Sequence, residues 1–509
     1  LFETEEERFD AERPYLLNLE RGLPLRTSVV FMTSTLEEVC AEVLKKTTPS
    51  RDERRRVLEL AEKLRGRVRA EAEEAGIDAD VRVEGSVAKD TWLREEPDID
   101  VFMRVSTALP REAFGTICLK IAKKATEGHK QIERFAEHPY LESFINTTRV
   151  NIVPCYRVNQ GEWISATDRT PFHTDYVKSI LNYRLRSQVR LLKRFMKGIG
   201  VYGAEIRVGG FSGYLCELLT LHHGSFTEFL RSIADWRENR IIDYEGHYKG
   251  REQKTRKIFE EPLVVVDPVD KGRNAAAAVR KERLDELIVA SRAFLTKPHQ
   301  EFFYPGATAA YTPEKLVQAI TTRGSTIVFV KFGRVRAVPD ILWGQLYKSQ
   351  RALKKMLQQH DFNIIRNHIW SDERDLNILI FEAEQRFLPL IKKHLGPPTE
   401  KRKECDKFLR KHVGVANTIS GPRIEGGRWV VETKRRYTDI VNLLDEKLKD
   451  GGRRVGVADL ISQAVANTLD ILVNEEITKL YSSNVEFAKF LTEYLEGKPR
   501  WLSGIDEEN

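Results

Sequence analysis

Two aspartates one residue apart, Asp98-Ile99-Asp100, follow the step Gly85-Ser86 after a gap of eleven residues. Side chains alternate along an extended strand, so both carboxylates point to one face and Ile99 to the other. Carboxylates held that close repel unless a cation lies between them. Carboxylates, waters and substrate phosphates are what Mg²⁺ prefers as ligands. A Gly-Ser turn presents backbone N–H groups and a hydroxyl to phosphate oxygens. The implied chemistry is metal-assisted phosphoryl or nucleotidyl transfer. A lone Asp-x-Asp is usually a loop or a solvated edge, and a lone Gly-Ser turn means little. The spacing, with Val101-Phe102 continuing the strand, makes the combination specific.

These residues require a strand, a tight turn, a short helix and a second strand. A charged helix is predicted before them over 50–76, with Val57, Leu58, Leu60, Ala61 and Leu64 on its apolar side. A helix over 111–135 and a strand pair over 144–158 are predicted after them. Residues 167–173 read as a loop entering a helix, with Pro171 suited to the first turn. One long helix is predicted over 176–198. Leu185, Val189, Leu192 and Met196 form its apolar stripe, and Arg186, Arg190, Lys193 and Lys197 a basic stripe on the neighbouring face. Such a stripe is ordinarily solvated; following a phosphate-site motif, it is equally an anion site. Residues 198–203 break the helix, and 211–230 form another. A buried strand at 263–266 ends at Asp267-Pro268, and Arg273-Asn274-Ala275-Ala276 opens a helix that continues over 282–296. Beyond residue 300 the pattern gives strands at 325–332 and 375–381 and helices at 343–360 and 401–411. A turn leads into a strand at 421–431, and the remainder is mostly helical.

The chain has 509 residues, a length suited to about three domains. Its 41% hydrophobic and 31% charged composition is that of an ordinary soluble protein, and its net charge of +7 permits a polyanionic partner. Five scattered cysteines without a CxxC pair point away from a zinc site or a disulfide framework, and toward reduced thiols in the cytoplasm. No apolar run is long enough to span a membrane. Residues 1–31 read as a leader, an upstream read-through or an extra segment, because Met32 precedes a capped helix.

The Gly-Ser and Asp-x-Asp arrangement resembles the signature of the DNA polymerase β-like nucleotidyltransferases. The wider set resembles the archaeal-type (class I) CCA-adding tRNA nucleotidyltransferases. Its motifs are residues 84–93 and 98–102, Ala136-Glu137-His138-Pro139-Tyr140, Val153-Pro154-Cys155-Tyr156, 167–173, Tyr202-Gly203-Ala204-Glu205 and 210–217, and the match runs from about residue 35 almost to the C-terminus. The resemblance implies an α+β, multidomain fold. A polymerase β-like catalytic domain would occupy 32–175, a helical central domain 176–300 and an α+β tRNA-binding region 301–509. It further implies template-free addition of C, C and A to the 3′ end of tRNA from CTP and ATP, with Mg²⁺, releasing pyrophosphate. Ser86 and Lys89 would contact nucleotide phosphates, although the family commonly has arginine at position 89. Asp98 and Asp100 would hold metal. Thr170, His173, Lys193 and Tyr202 would bind the triphosphate and sugar, and Arg273 would read the base. The partner surface would clasp the acceptor stem and the TΨC arm, and family members are commonly homodimers.

One position departs from the pattern. The superfamily carries a third carboxylate on a neighbouring strand, and here that position is Asn151. Asparagine offers a carbonyl oxygen but no charge. Three explanations stand: an inactivating change, slow catalysis supported by Asn151 with Asp98 and Asp100, or replacement by a nearby acid such as Glu142 or Asp168. The competing functions are a poly(A) polymerase-like nucleotidyltransferase and a tRNA-binding protein with a crippled site.

Overall fold

A computed structural model describes residues 35–135, 138–237 and 240–502. The expected leader lies outside the described residues, as do Ala136 and Glu137 of one motif. Thr35 and Glu38 form a capping box that starts helix α1 (Leu36–Thr47), and Ser50 and Glu53 do the same for α2 (Arg51–Glu74). The buried side of α2 is Ala61, Leu64, Val68 and Ala72. Leu58, expected on that side, is 48% exposed because the helical period turns it away from this row.

The first sheet is built from β1 (Ala79–Glu84), β2 (Asp98–Val105), β3 (Lys130–Phe135), β4 (Pro139–Ile145) and β5 (Thr148–Tyr156), with α3 (Gly85–Ala88) and α4 (Arg111–Ala125) in its connections. Its order is β1-β2-β5-β4-β3, with β2 and β5 parallel and the other pairs antiparallel. Ile99, Val101, Met103, Val150 and Ile152 point to one face and form a core with α2 and α4. The opposite face therefore carries Asp98 and Asp100. Two expectations are corrected. The helix predicted over 111–135 stops at Ala125, and 130–135 is a strand after Gly128, which has φ +83°. The strand pair starts earlier, at Pro139, and turns at Asn146-Thr147, both with positive φ.

A short 3₁₀ turn, Ala166–Arg169, leads to α5 (Thr170–Ile180). The long helix expected over 176–198 is interrupted, because Leu181 is extended and Asn182 caps a new helix, α6 (Tyr183–Gly198), accepting a hydrogen bond from the Leu185 N–H. The 211–230 helix is likewise two, α7 (Gly213–His223) and α8 (Phe226–Ala234), parted by left-handed Gly224. β6 (Arg240–Ile242), α9 (Glu252–Ile258), β7 (Leu263–Val265) and α10 (Lys281–Thr296) follow. No helix opens at Arg273. Asn274 instead uses its side chain to accept from the Val265 N–H and donate to the Leu263 carbonyl, fastening the segment to β7. Phe195, Phe226, Phe294, Phe302 and Phe303 centre this helical core, and α1 packs into it through Val39, Cys40 and Val43.

The C-terminal region comprises α11 (Pro313–Thr322), β8 (Thr326–Phe332), α12 (Pro339–Gln359), β9 (Ile364–Ser371), β10 (Asn377–Ala383), β11 (Ile391–Pro398), α13 (Arg402–His412), β12 (Thr418–Glu425), β13 (Arg428–Lys434), α14 (Ile440–Leu448), α15 (Asp459–Thr468), β14 (Asp470–Val473), α16 (Thr478–Ser483) and α17 (Val485–Glu496). A sheet of order β14-β8-β10-β9 has helices on both faces, and a second sheet has order β11-β13-β12. The segment read as a turn into a strand at 421–431 is a hairpin, with β12 and β13 joined by Gly426-Gly427. All five cysteines are free and buried. No helix among the described residues is long and apolar enough to cross a membrane.

Candidate active site

The parallel register of β2 and β5 sets Asp98 beside Arg149 and Asp100 beside Asn151. Arg149 Nε donates to Asp98 Oδ1 at 2.8 Å, with a second bond to Oδ2. Asn151 Nδ2 donates to Asp100 Oδ1 at 2.9 Å. The same row continues to Glu84, opposite Asp100 on β1, and to Glu142, opposite Asn151 on β4. Burial, and secondarily the charge of Asp98, pushes the Asp100 carboxyl up to about 6 against the Asn151 hydrogen bond. Burial likewise lifts Glu84 to about 7. Gly85, at φ +68°, lies under the Asp100 carboxylate, where a Cβ would be 2.1 Å from Oδ2.

Neither alternative acid takes the third position. Asp168 is spent locally, accepting from the N–H groups of Tyr156, Ile164 and Ser165 and from the Ser165 hydroxyl. Glu142 is next to Asn151 but accepts from Arg134 at 2.9 Å and has Arg149 at 3.8 Å. Among the described residues no group of three or more His, Cys, Asp or Glu side chains is placed to hold a metal ion. Two carboxylates and an amide carbonyl nonetheless suit Mg²⁺, which is commonly held by one or two carboxylates together with substrate phosphates. The close backbone at Gly85 leaves the Asp100 oxygens room that any side chain there would fill.

The middle of the basic stripe of α6, Arg190 and Lys193, is buried, while Arg186 and Lys197 at its ends are half-buried. Arg190 is 1% exposed, and its guanidinium holds the loop after α3 through the Trp92 carbonyl and through the carbonyl and carboxylate of Asp90. That clamp places Lys89 and Thr91. Lys89 Nζ and Lys193 Nζ then converge on one carboxylate, Glu217 on α7, at 2.5 and 3.1 Å. The Tyr202 hydroxyl borders the same point, 2.9 Å from where a Cβ on Gly213 would lie, with Lys193 Nζ 3.6 Å from it. Ser86 is half-buried on α3, directly after Gly85.

A second cluster lies along the same wall. His173 Nε2 is 2.9 Å from Asp267 Oδ2, and Arg273 donates to the same oxygen at 2.5 Å. Tyr214 donates to Asp267 Oδ1 at 3.1 Å and stacks on His173 with ring centroids 4.1 Å apart. Burial lowers His173 below its ordinary range, against the Asp267 carboxylate, which favours the protonated ring. Burial alone would raise Asp267, but the hydrogen bond from His173 and the charge of Arg273 outweigh it and hold the carboxyl at about 2. Lys89 lies 5.8 Å from the Tyr214 ring, so Lys193, Glu217, Lys89, Tyr214, His173, Asp267 and Arg273 form one continuous chain. Thr170 opens α5 one turn before His173.

Arg149, Tyr214, Glu217 and Asp267 stand in these contacts and outside the predicted site residues. Glu217 ends the 210–217 motif, Asp267 closes a predicted strand, and Arg149 stands two residues before Asn151 on the same face. The strand period points to Arg149, and the 210–217 motif contains Tyr214 and Glu217 without indicating their partners, which come from remote elements.

A nucleotidyltransferase domain model matches residues 61–184, a model for the second domain of tRNA nucleotidyltransferase matches 187–304, and one for the C-terminal domain of CCA-adding enzymes matches 323–474. The CCA-adding enzyme of Methanothermobacter thermautotrophicus is 36% identical over 463 residues, covering 89% of this chain and 97% of its own. That of Methanosarcina barkeri is 34% identical over 451 residues, covering 88% and 96%. That of Pyrobaculum aerophilum is 38% identical over 425 residues, covering 83% and 96%.

Proposed function

The chain belongs to the archaeal-type CCA-adding tRNA nucleotidyltransferases, and from that premise we propose how its own residues add C, C and A to the 3′ end of tRNA. The observation that carries this reading is the nearness of two groups: the Asp98/Asp100 pair on β2, and Lys89, whose charge acts on Asp100 and which shares Glu217 with Lys193. CTP or ATP binds with its triphosphate on Lys89, Lys193, Ser86 and the Tyr202 hydroxyl, where cations and donors meet phosphate. His173 and Thr170 border the sugar and the triphosphate. Arg273, held by Asp267 and still 38% exposed at its side chain, reads the base edge.

Asp98 and Asp100, with the Asn151 carbonyl, would hold Mg²⁺, which when bound would lower the pKa of the tRNA 3′-hydroxyl and stabilise the departing pyrophosphate. Asp98 must first leave Arg149, and Asp100 must turn from the Asn151 amide. Asn151 contributes no charge and accepts no proton, so the 3′-hydroxyl is activated by two carboxylates rather than three. The tRNA acceptor stem and TΨC arm bind along the C-terminal region. A cleft of about 880 Å³ offers Arg207, Arg280 and Arg351 beside Trp343 and Tyr347, side chains suited to phosphate and ribose. Five buried, free thiols suit the cytoplasm. A homodimer is proposed on family grounds, and light scattering decides it.

The test is incorporation on a tRNA truncated at the discriminator base. Addition that stops at CCA with both nucleotides supports the reading, and an A-only tail indicates a poly(A) polymerase-like activity. The Asn151 amide favours a second reading, a tRNA-binding protein with little turnover; tight tRNA binding without incorporation at high Mg²⁺ would select it.

A further inference from the structure

Glu217 lies on α7 at 1% exposure and faces three donors from two other elements. Lys89 Nζ is 2.5 Å from Oε2, Thr91 Oγ1 is 2.6 Å from Oε1, and Lys193 Nζ is 3.1 Å from Oε1. Lys193 also donates to Thr91 Oγ1 at 3.0 Å, so the four side chains form one closed network. Both lysines are buried, at 6% and 2% exposure. Two ammonium groups sharing so dry a site repel, and burial favours the neutral form of each. A single carboxylate between them reverses both effects and leaves a net positive charge of one for an incoming anion.

We propose that Glu217 is a positioning residue for nucleotide binding, holding Lys89 and Lys193 as a charged, aligned pair before the triphosphate arrives. It rests on the reading that these two lysines hold the triphosphate. Glu217 reaches no reacting atom itself; Lys89, with one bond to Oε2, swings from it to phosphate, while Lys193 stays anchored by Oε1 and Thr91. The direction of the titrations agrees. Burial, and then the charge of Lys89, lowers Lys193 against Glu217, while burial raises Glu217 less than the two lysines and Thr91 lower it, leaving it at about 2. The neighbouring Cys216 thiol is pushed up to about 12 by burial, and Tyr202 and Tyr214 are raised by burial, so all three stay neutral through pH 9. Lys89 also acts on Asp100, Glu84 and His173; Glu84 titrates near 7, so wild type is measured in parallel and ratios are read.

The test measures the Kd for ATP in EDTA at pH 6, 7.5 and 9 for wild type, Glu217→Gln, Glu217→Asp, Lys89→Ala and Lys193→Ala. The ratio of the Glu217→Gln Kd to the wild-type Kd is expected within about 3-fold at pH 6 and above about 10-fold at pH 9, as one lysine loses its proton. Glu217→Asp, which keeps the charge, should show a small loss without a pH trend. A ratio flat with pH assigns Glu217 a packing role and overturns the proposal, as does tighter binding by Glu217→Gln at every pH. Wild-type affinity in both lysine variants overturns the triphosphate reading and the proposal together. Loss in the lysine variants with a flat Glu217→Gln ratio overturns the proposal alone. Should Glu217→Gln not fold, NMR of ¹³C-labelled lysines in the wild type decides: Lys89 and Lys193 stay charged through pH 9, and titration of either below pH 8.5 overturns the proposal.

Discussion

Asn151 donates its amide to Asp100 Oδ1 across 2.9 Å, from the position directly beside it on the adjacent parallel strand. A carboxylate at that position would face Asp100 with a second charge and create a stronger cation site. Asn151→Asp should therefore raise CTP and ATP incorporation by roughly 10²-fold, the scale of a restored activating group. It should also lower Tm in EDTA, where two carboxylates repel, and recover it in Mg²⁺. Unchanged incorporation would remove position 151 from the metal site.

Arg149 forms a two-point ion pair with Asp98, and the charge of Asp98 raises the arginine further above its usual range. A guanidinium there competes with any divalent cation for the same oxygens. Arg149→Met should tighten Mn²⁺ binding about 10-fold, a difference of ~1.4 kcal/mol. Titration followed by Mn²⁺ paramagnetic resonance reads this without turnover.

Gly85 combines φ +68° with the Asp100 carboxylate 2.1 Å from a would-be Cβ. Gly85→Ala must move either the turn or the aspartate. We expect incorporation to fall by more than about 100-fold and stability by roughly 1–3 kcal/mol, the usual cost of a strained backbone residue. Wild-type activity in a folded Ala variant would show that Asp100 is not held where catalysis needs it.

Asp267 anchors Arg273 and His173 through one oxygen. Asp267→Asn removes the charge that fixes the guanidinium. Discrimination of CTP and ATP against UTP and GTP should drop about 10-fold, on the scale of one lost charged hydrogen bond, with little change in tRNA affinity. Misincorporation ratios on a tRNA ending in one C measure it.

Glu382, 1% exposed, accepts from Arg323 at 2.7 Å, Arg366 at 2.6 Å and Ser325 at 2.6 Å. Burial would raise its carboxyl, but these partners together hold it at about 2, below its ordinary 4.5. A depressed carboxylate stabilises the fold above its unfolded pKa and loses that contribution as pH falls toward the folded value. Glu382→Gln should thus cost roughly 3 kcal/mol at pH 7. The gap in Tm to wild type should narrow as pH drops from about 4.5 toward 2. A constant gap would assign the loss to packing.

Much of this architecture could be read directly from residue spacing. The alternation in Asp98-Ile99-Asp100 placed both carboxylates on one face, because a strand repeats every two residues whatever surrounds it. The Gly85 turn and the capped start of α1 were legible for the same reason: each depends on local backbone. Pairing was not. Arg190 belongs to a stripe that reads equally as a solvated face and as an anion site, and only the loop after α3, folded against α6, shows it buried on Asp90. Glu217 and Asp267 find partners 128 and 94 residues away, and no period in the chain connects those positions. Local sequence thus determined which groups point which way. The tertiary structure alone decided which charges meet in a dry interior, where a carboxylate between two ammoniums changes what each of them can bind.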